Sequence, residues 1–122
     1  ELDRREGYLK EMAQTNRKPA IFAVPDDNDS QLTQLITANP QMDGIVATDD
    51  YTGLLIYHRF KALFPDKSIE VIGFNNSLPN ELTDQHFHSV DLHPKEMGKA
   101  AVDLLFSEEA GKPQRAIVTH TV

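Results

Sequence analysis

The chain has 122 residues, 39% of them hydrophobic and 25% charged, enough for one core that buries about 60 to 70% of the unfolded surface and without the bias of a disordered chain. Nineteen acids against twelve bases give a net charge of -7, and no window gathers Lys and Arg on one face, so this segment should repel a nucleic-acid backbone. The lack of cysteine excludes disulfides and thiolate chemistry, no apolar run approaches the roughly 18 residues that cross a bilayer, and the polar opening Glu1-Leu-Asp-Arg-Arg5 is not a signal peptide.

From the first residues, Leu2, Arg5, Tyr8, Leu9 and Met12 recur at helical spacing, and Asn16, Lys18 and Pro19 end the run, so residues 2–14 read as a helix. Ala20–Val24 is a short apolar run between prolines, which suits a buried strand. A helix from about Ser30 to Ala38 follows, with Asn28 or Asp29 as cap, Gln31 completing a capping box and Asn39-Pro40 as its stop. Strand 44–48 leads into a helix from about Tyr51 to Leu63, whose inward stripe is Ile56, Phe60, Leu63 and Phe64 and whose expected cap is Asp50. Strand 69–74 opens into a polar loop, Asn75 to His86, of a length at which loops are usually functional or mobile. Ser89–Leu92 alternates as extended chain does. From Pro94, residues Met97, Ala100, Ala101, Leu104 and Leu105 make an apolar helical stripe with Lys95, Glu96, Lys99 and Asp103 outside it, closed by Gly111 and Pro113. Ala116–Val122 alternates apolar and polar, as an edge strand would.

This order predicts an α/β fold: a parallel sheet with right-handed crossovers and helices on both faces. Because such units normally open with a strand and this one opens with a helix, the chain is expected to be truncated or processed. The runs Asp43-Gly-Ile-Val-Ala-Thr-Asp-Asp50 and Ile69-Glu-Val-Ile-Gly-Phe-Asn-Asn76 each end in paired polar side chains. As parallel neighbours they would deliver Asp49, Asp50, Asn75 and Asn76 to one carboxyl edge, where open α/β sheets hold ligands.

The polar groups admit few chemistries. Asp50 can cap its helix while Asp49 is either a solvated loop acid or an acceptor for ligand hydroxyls. Asn75 both donates and accepts, which suits a polyol, though Asn after a strand is also a common turn residue. Arg4 and Arg5 offer the guanidinium fork that grips carboxylate, phosphate or paired hydroxyls. The Asp26-Asp-Asn-Asp29 run lacks the glycine and acid that a calcium loop needs at its sixth and twelfth places. His86, His88 and His93 have no companion ligands at metal-site spacing, so neither a metal nor another cofactor is expected. There is no phosphate-cradling glycine loop and no nucleophile elbow, and an enzyme is not expected.

Four segments in register, Arg4-x-x-Gly7-Tyr8, Asp43 to Asp50, Ile69-x-Val-Ile-Gly-Phe74-Asn75 and Ser89-Val-Asp-Leu-His-Pro-Lys-Glu-Met-Gly98, resemble the C-terminal part of the effector-binding core of LacI/GalR-family transcription regulators. The Ser89 to Leu105 stretch tilts the match toward the regulators and away from the periplasmic sugar receptors of transport systems, which share the fold and are the alternative. The resemblance implies a periplasmic-binding-protein-like (type I) lobe over residues 1–88. Residues 89–122 would then be a crossover segment, a helix of the other lobe and a returning strand. It implies a small effector, a sugar or sugar derivative, in the cleft between lobes, and DNA binding only through a separate helix-turn-helix domain outside this chain.

In the family, the positions that match Arg4, Asp49 and Asn75 contact the effector, and an aromatic near Pro25 and Asp26 stacks on it. Here Asp49 stands where Asn is usual, Asn75 where Asp is usual, and no aromatic lies near Pro25. The family also dimerises partly through the helix after the Asp pair, which makes Leu54, Leu55 and His58 candidates for a homodimer contact, with ordinary core packing as the other reading. Regulator identity places the protein in the cytoplasm with no membrane partner. Without the other lobe, the stripe Met97, Ala101 and Leu104 would be exposed unless a second chain covers it.

Overall fold

The computed structural model describes residues 2–24, 29–107, 111 and 114–122. Seven elements of regular structure appear among them: α1 (Leu2–Gln14), α2 (Asp29–Thr37), β1 (Gly44–Val46), α3 (Asp50–Leu63), β2 (Glu70–Phe74), β3 (Phe87–Val90) and α4 (Pro94–Leu105), with a 3-10 turn at Asn80–Leu82. The chain divides into two compact units, Glu1–Ala38 and Asn39–Val122. No helix among the described residues is long and apolar enough to cross a membrane.

The second unit is built on a three-stranded sheet in the order β1-β2-β3. Both pairings are parallel, with Gly44 opposite Glu70 and Val71 opposite Phe87. The α/β class with a parallel sheet is therefore the observed one. β1 and β2 are joined through α3, the crossover that parallel strands require. β2 and β3 are joined by residues 75–86, an irregular segment with its single 3-10 turn.

α3 lies on the sheet face that carries Ala47, Val71, Gly73 and Phe87. Its buried residues are Asp50, Gly53, Ile56, Tyr57 and Phe60, so the expected stripe keeps Ile56 and Phe60 and widens by one residue to include Tyr57, with Leu63 and Phe64 half-buried. Gly53 is the point of closest approach: a Cβ there would stand 3.2 Å from both Val71 Cγ1 and Phe87 Cζ and 3.3 Å from Ala47 Cβ. Phe60, Ile69 and Val71 are almost completely buried, and each such side chain contributes about 1.5–3 kcal/mol relative to exposure. Phe60 meets Phe64 at 5.3 Å between ring centroids, within the range of favourable aromatic pairs.

Three expectations of extended structure are corrected. Residues 20–24 form no strand; Ile21 and Phe22 are exposed, and Ala20 is held instead by the Tyr8 hydroxyl, which accepts from its N–H at 3.2 Å and donates to its carbonyl at 3.4 Å. Strand 44–48 is regular only over Gly44–Val46, although Ala47 N still donates to Ile72 O at 2.9 Å. Residues 116–122 make no strand beyond an isolated antiparallel bridge of Thr121 to Asp91, and Ile117 is 93% exposed. In each case an apolar or alternating run has the propensity for a strand, but the ladder that defines one requires a neighbour along its whole length. α4 forms as expected behind Pro94, and its apolar stripe is open: Met97, Val102 and Leu105 are exposed, as is Phe106 just beyond.

Candidate functional site

The carboxyl ends of β1 and β2 bring Asp49, Asp50, Asn75 and Asn76 to one edge, as two parallel neighbours must. Their roles differ from expectation in one respect. Asp49, not Asp50, is the N-cap of α3: its extended backbone (φ -156°, ψ 171°) lets Oδ1 accept from Thr52 N at 2.8 Å. Oδ2 also accepts from the hydroxyls of Thr52 at 3.1 Å and Thr48 at 3.3 Å. The Thr52 amide, helped by both hydroxyls, holds the Asp49 carboxyl below the usual carboxylate range. Either aspartate satisfies the sequence rule for a cap; the deciding contact is the one that Asp50 makes instead.

Asp50 occupies the first turn of α3 and is 1% exposed. Its Oδ2 accepts from Ser77 N at 2.8 Å and from the Ser77 hydroxyl at 3.3 Å, and its Oδ1 accepts from the Ser89 hydroxyl at 2.7 Å. The helix N-terminus adds favourable dipole charge. This carboxylate fits only because residue 73 is glycine. A Cβ at Gly73 would lie 2.2 Å from Asp50 Oδ1 and 2.9 Å from its Cα.

The turn after β2 is left-handed at two consecutive positions, Asn75 (φ 92°) and Asn76 (φ 47°), a conformation that Asn tolerates better than most residues. Asn75 N donates to Val90 O at 2.9 Å, and its side chain is exposed. Asn76 N donates to the Ser89 hydroxyl at 2.9 Å, and Asn76 Nδ2 donates to Asp91 Oδ2 at 3.1 Å. Asp91 Oδ1 accepts from His93 N at 2.7 Å. The His93 amide, with the Asn76 carboxamide second, lowers the Asp91 pKa. Asp91 also exchanges two backbone hydrogen bonds with Thr121, and Thr121 Oγ1 lies 3.0 Å from His93 Nε2.

A cavity of about 330 Å³ opens here, and its wall includes Asp50, Asn76, Ser89, Asp91 and Thr121, with Phe87 as an apolar patch. Of the two pairs, it is Asp50 and Asn76 that line this cavity; Asp49 and Asn75 stand at the same edge beside it. Ser77, Ser89, Asp91 and Thr121 were not foreseen. Ser89 and Asp91 fall within the fourth segment of the resemblance, and Gly73 inside an apolar strand is a further sequence signal, a position that commonly marks a close approach of another group.

Arg4 is an exposed residue of α1 in the unit Glu1–Ala38. Pro25 and Asp26 lie outside the described residues, as does Asn28, one of the two expected caps of α2. On α3, Leu55 and His58 are exposed and Leu54 is half-buried. Away from the site, Glu70 takes His86 Nδ1 at 2.7 Å and His88 Nε2 at 3.1 Å on its two oxygens, which lowers its pKa, His86 contributing most. Next to it the Tyr57 hydroxyl donates to Asp84. That bond pushes the Tyr57 pKa up to about 12 and lowers that of Asp84.

The family model of the periplasmic binding protein-like domain matches residues 1–122. The chain belongs to that family. No curated protein and no solved structure matches it. A periplasmic binding protein-like domain is in general a ligand-binding fold, and the polar carboxyl edge of its parallel sheet is where such a ligand would be met.

Proposed function

We propose that this periplasmic binding protein-like domain is the effector-sensing part of a LacI/GalR-like transcription regulator. It binds a small sugar or sugar derivative without turnover and thereby modulates DNA binding by a separate helix-turn-helix domain. The observation that carries the binding part is the convergence of Asp49, Asp50, Asn75 and Asn76 on one sheet edge beside a cavity of about 330 Å³. Amide, hydroxyl and carboxylate groups there can both donate to and accept from a polyol. The regulator part rests on the sequence resemblance of the stretch Ser89 to Leu105, which covers the end of β3, the Asp91–His93 turn and α4.

In this reading the effector contacts are those that the resemblance implies, Arg4, Asp49 and Asn75 with Pro25 and Asp26, and Asn76 and Asp91 stand next to Asn75 at the sheet edge. Residues 89–122 serve as crossover, helix of the other lobe and returning strand. Two carboxylates, Asp50 and Asp91, line the cavity, and their field disfavours a phosphate at that end. The effector end that enters it is therefore an uncharged, hydroxyl-bearing one. The regulator acts in the cytoplasm as a homodimer through the outer face of α3, where Tyr51 and Leu55 are exposed at i and i+4 and His58 at i+7.

Sensing requires that the effector bind two states of the protein unequally, since a ligand of equal affinity shifts nothing. A melting screen of the intact protein against mono- and disaccharides and their phosphates tests the proposal. An effector at a hundredfold excess over its dissociation constant stabilises by about 2.7 kcal/mol. Loss of the shift in Arg4→Ala and Asn75→Ala is expected; a full shift in both variants would refute the site. The alternative, a periplasmic sugar receptor of a transport system, predicts the same shift but an exported protein that retains no operator DNA.

A further inference from the structure

The left-handed turn at Asn75 and Asn76 is strained on its own, as for any residue other than glycine and even for asparagine. Something in the surrounding structure must over-determine it. β2 ends at Phe74, and the side-chain hydrogen bonds on the next residues converge on two acceptors. Asn76 N donates to the Ser89 hydroxyl, and Ser77 N donates to Asp50 Oδ2. The Ser89 hydroxyl in turn spends its single proton on Asp50 Oδ1, which leaves its lone pairs oriented toward Asn76. The amides of Asn76 and Ser77 are thus fixed by one carboxylate, directly or through one hydroxyl, while that of Asn75 is held by Val90 O.

We propose that Asp50 is the positioning residue of the ligand turn: its buried carboxylate, through Ser77 and Ser89, holds Asn75 and Asn76 left-handed, and Asn76 passes that order to Asp91. Asp50 is suited to this because it is buried and closely packed. It sits in the first turn of α3, capped by Asp49, and is wedged against Gly73 with no room for even a methyl group between them. A neutral amide would supply one acceptor oxygen where two are used, and would aim donors at a serine hydroxyl or an N–H. The Asn76–Asp91 bond then ties the turn to the residue that precedes α4 and pairs with Thr121. Occupancy at Asn75 is in this way felt by residues 91–93 without an intervening helix. That Asn75 meets a ligand rests on the sugar-sensing reading above; that Asp50 sets the turn does not.

Amide hydrogen exchange resolved by NMR on the full chain separates the two. In the Ser89→Ala variant the Asn76 amide loses its acceptor and should exchange at least about tenfold faster, with Ser77 following as Asp50 loosens. The amides of Ala47 and Val71, which bond within the sheet, should keep their rates, and Ser89→Thr should restore protection. Asp50→Asn should deprotect both turn amides. If that variant fails to fold, Ser89→Ala and Ser77→Ala still decide, the latter sparing the Ser77 N–H bond and so changing little. Equal acceleration of turn and sheet amides, or no protection of Asn76 and Ser77 in the unmodified chain, would overturn the proposal. A second arm titrates glucose, galactose and ribose. Weakened binding in Ser89→Ala, measured well below that variant's melting range, is expected if any of them binds. If none binds any form, the sugar-sensing reading fails for these probes while the exchange rates still decide the role of Asp50.

Discussion

Gly73→Ala asks the most of the packing described here. The added methyl would stand 2.2 Å from Asp50 Oδ1, and because the Asp50 Cα is also only 2.9 Å away, rotating the aspartate side chain cannot relieve the contact. Either β2 and α3 separate or the carboxylate leaves its site. Separation is overpacking, about 1–3 kcal/mol. Displacement gives up the hydrogen bonds from Ser77 and Ser89 to a charged acceptor, about 1.5–3 kcal/mol apiece. Against this, alanine restricts the unfolded chain more than glycine and returns about 0.4–1 kcal/mol. A contact this short puts the cheaper route, overpacking, at the upper end of its range, so the net expectation is a loss of about 2 kcal/mol, read as a lower urea midpoint at unchanged slope. Gly98→Ala is the control: it lies within α4 with nothing within 4 Å of the new Cβ, so helix propensity should raise stability by about 1 kcal/mol. A neutral or stabilising Gly73→Ala would refute the close approach of Asp50 and with it the account of the turn.

The carboxyls of Asp49, Glu70, Asp84 and Asp91 all have folded-state pKa values below their ordinary ones. Their contribution is present above the unfolded carboxylate range near pH 4 and is lost as pH falls through the lowered values, so circular dichroism melts should be flat near neutrality and fall in acid. Tyr57 is raised, to about 12. Its contribution is fully present below its unfolded pKa near 10 and is lost as pH rises from there through about 12, and Tyr57→Phe should delete the latest step of the phenolate absorbance titration. At the proposed dimer face, Leu55→Arg should leave the melting temperature nearly unchanged, as surface substitutions do, and shift the intact protein toward monomer in sedimentation; an unchanged dimer would exclude that face. In the ligand screen, an uncharged sugar should outcompete its own phosphate ester, and a preference for the ester would contradict the charge reading of the cavity.

The edge was legible because β1 and β2 each run from apolar residues straight into paired polar ones, and parallel neighbours end on the same side. Which member of each pair does what was not. Asp49 and Asp50 are equally good caps by composition, and the choice is made by Ser77, Ser89 and Gly73, which lie 23 to 39 positions further along the chain. The strands expected at 20–24 and 116–122 fail for a related reason. Side-chain alternation reports what a segment could pair with, whereas pairing itself depends on a neighbour that local pattern does not encode. α3 was predicted to within a residue and α4 at its start, because periodicity and proline placement are local, but α4 ends at Leu105, short of the expected Gly111. The Tyr57–Asp84 bond and the Glu70–His86–His88 cluster join residues from different elements and left no pattern to read.

Calorimetric titration of the intact protein with the sugar that gives the largest melting shift bears most directly on the sensing function. The account predicts a single saturable site whose affinity falls at least about tenfold, or about 1.4 kcal/mol, in both Arg4→Ala and Asn75→Ala. Unchanged affinity in both variants would contradict it.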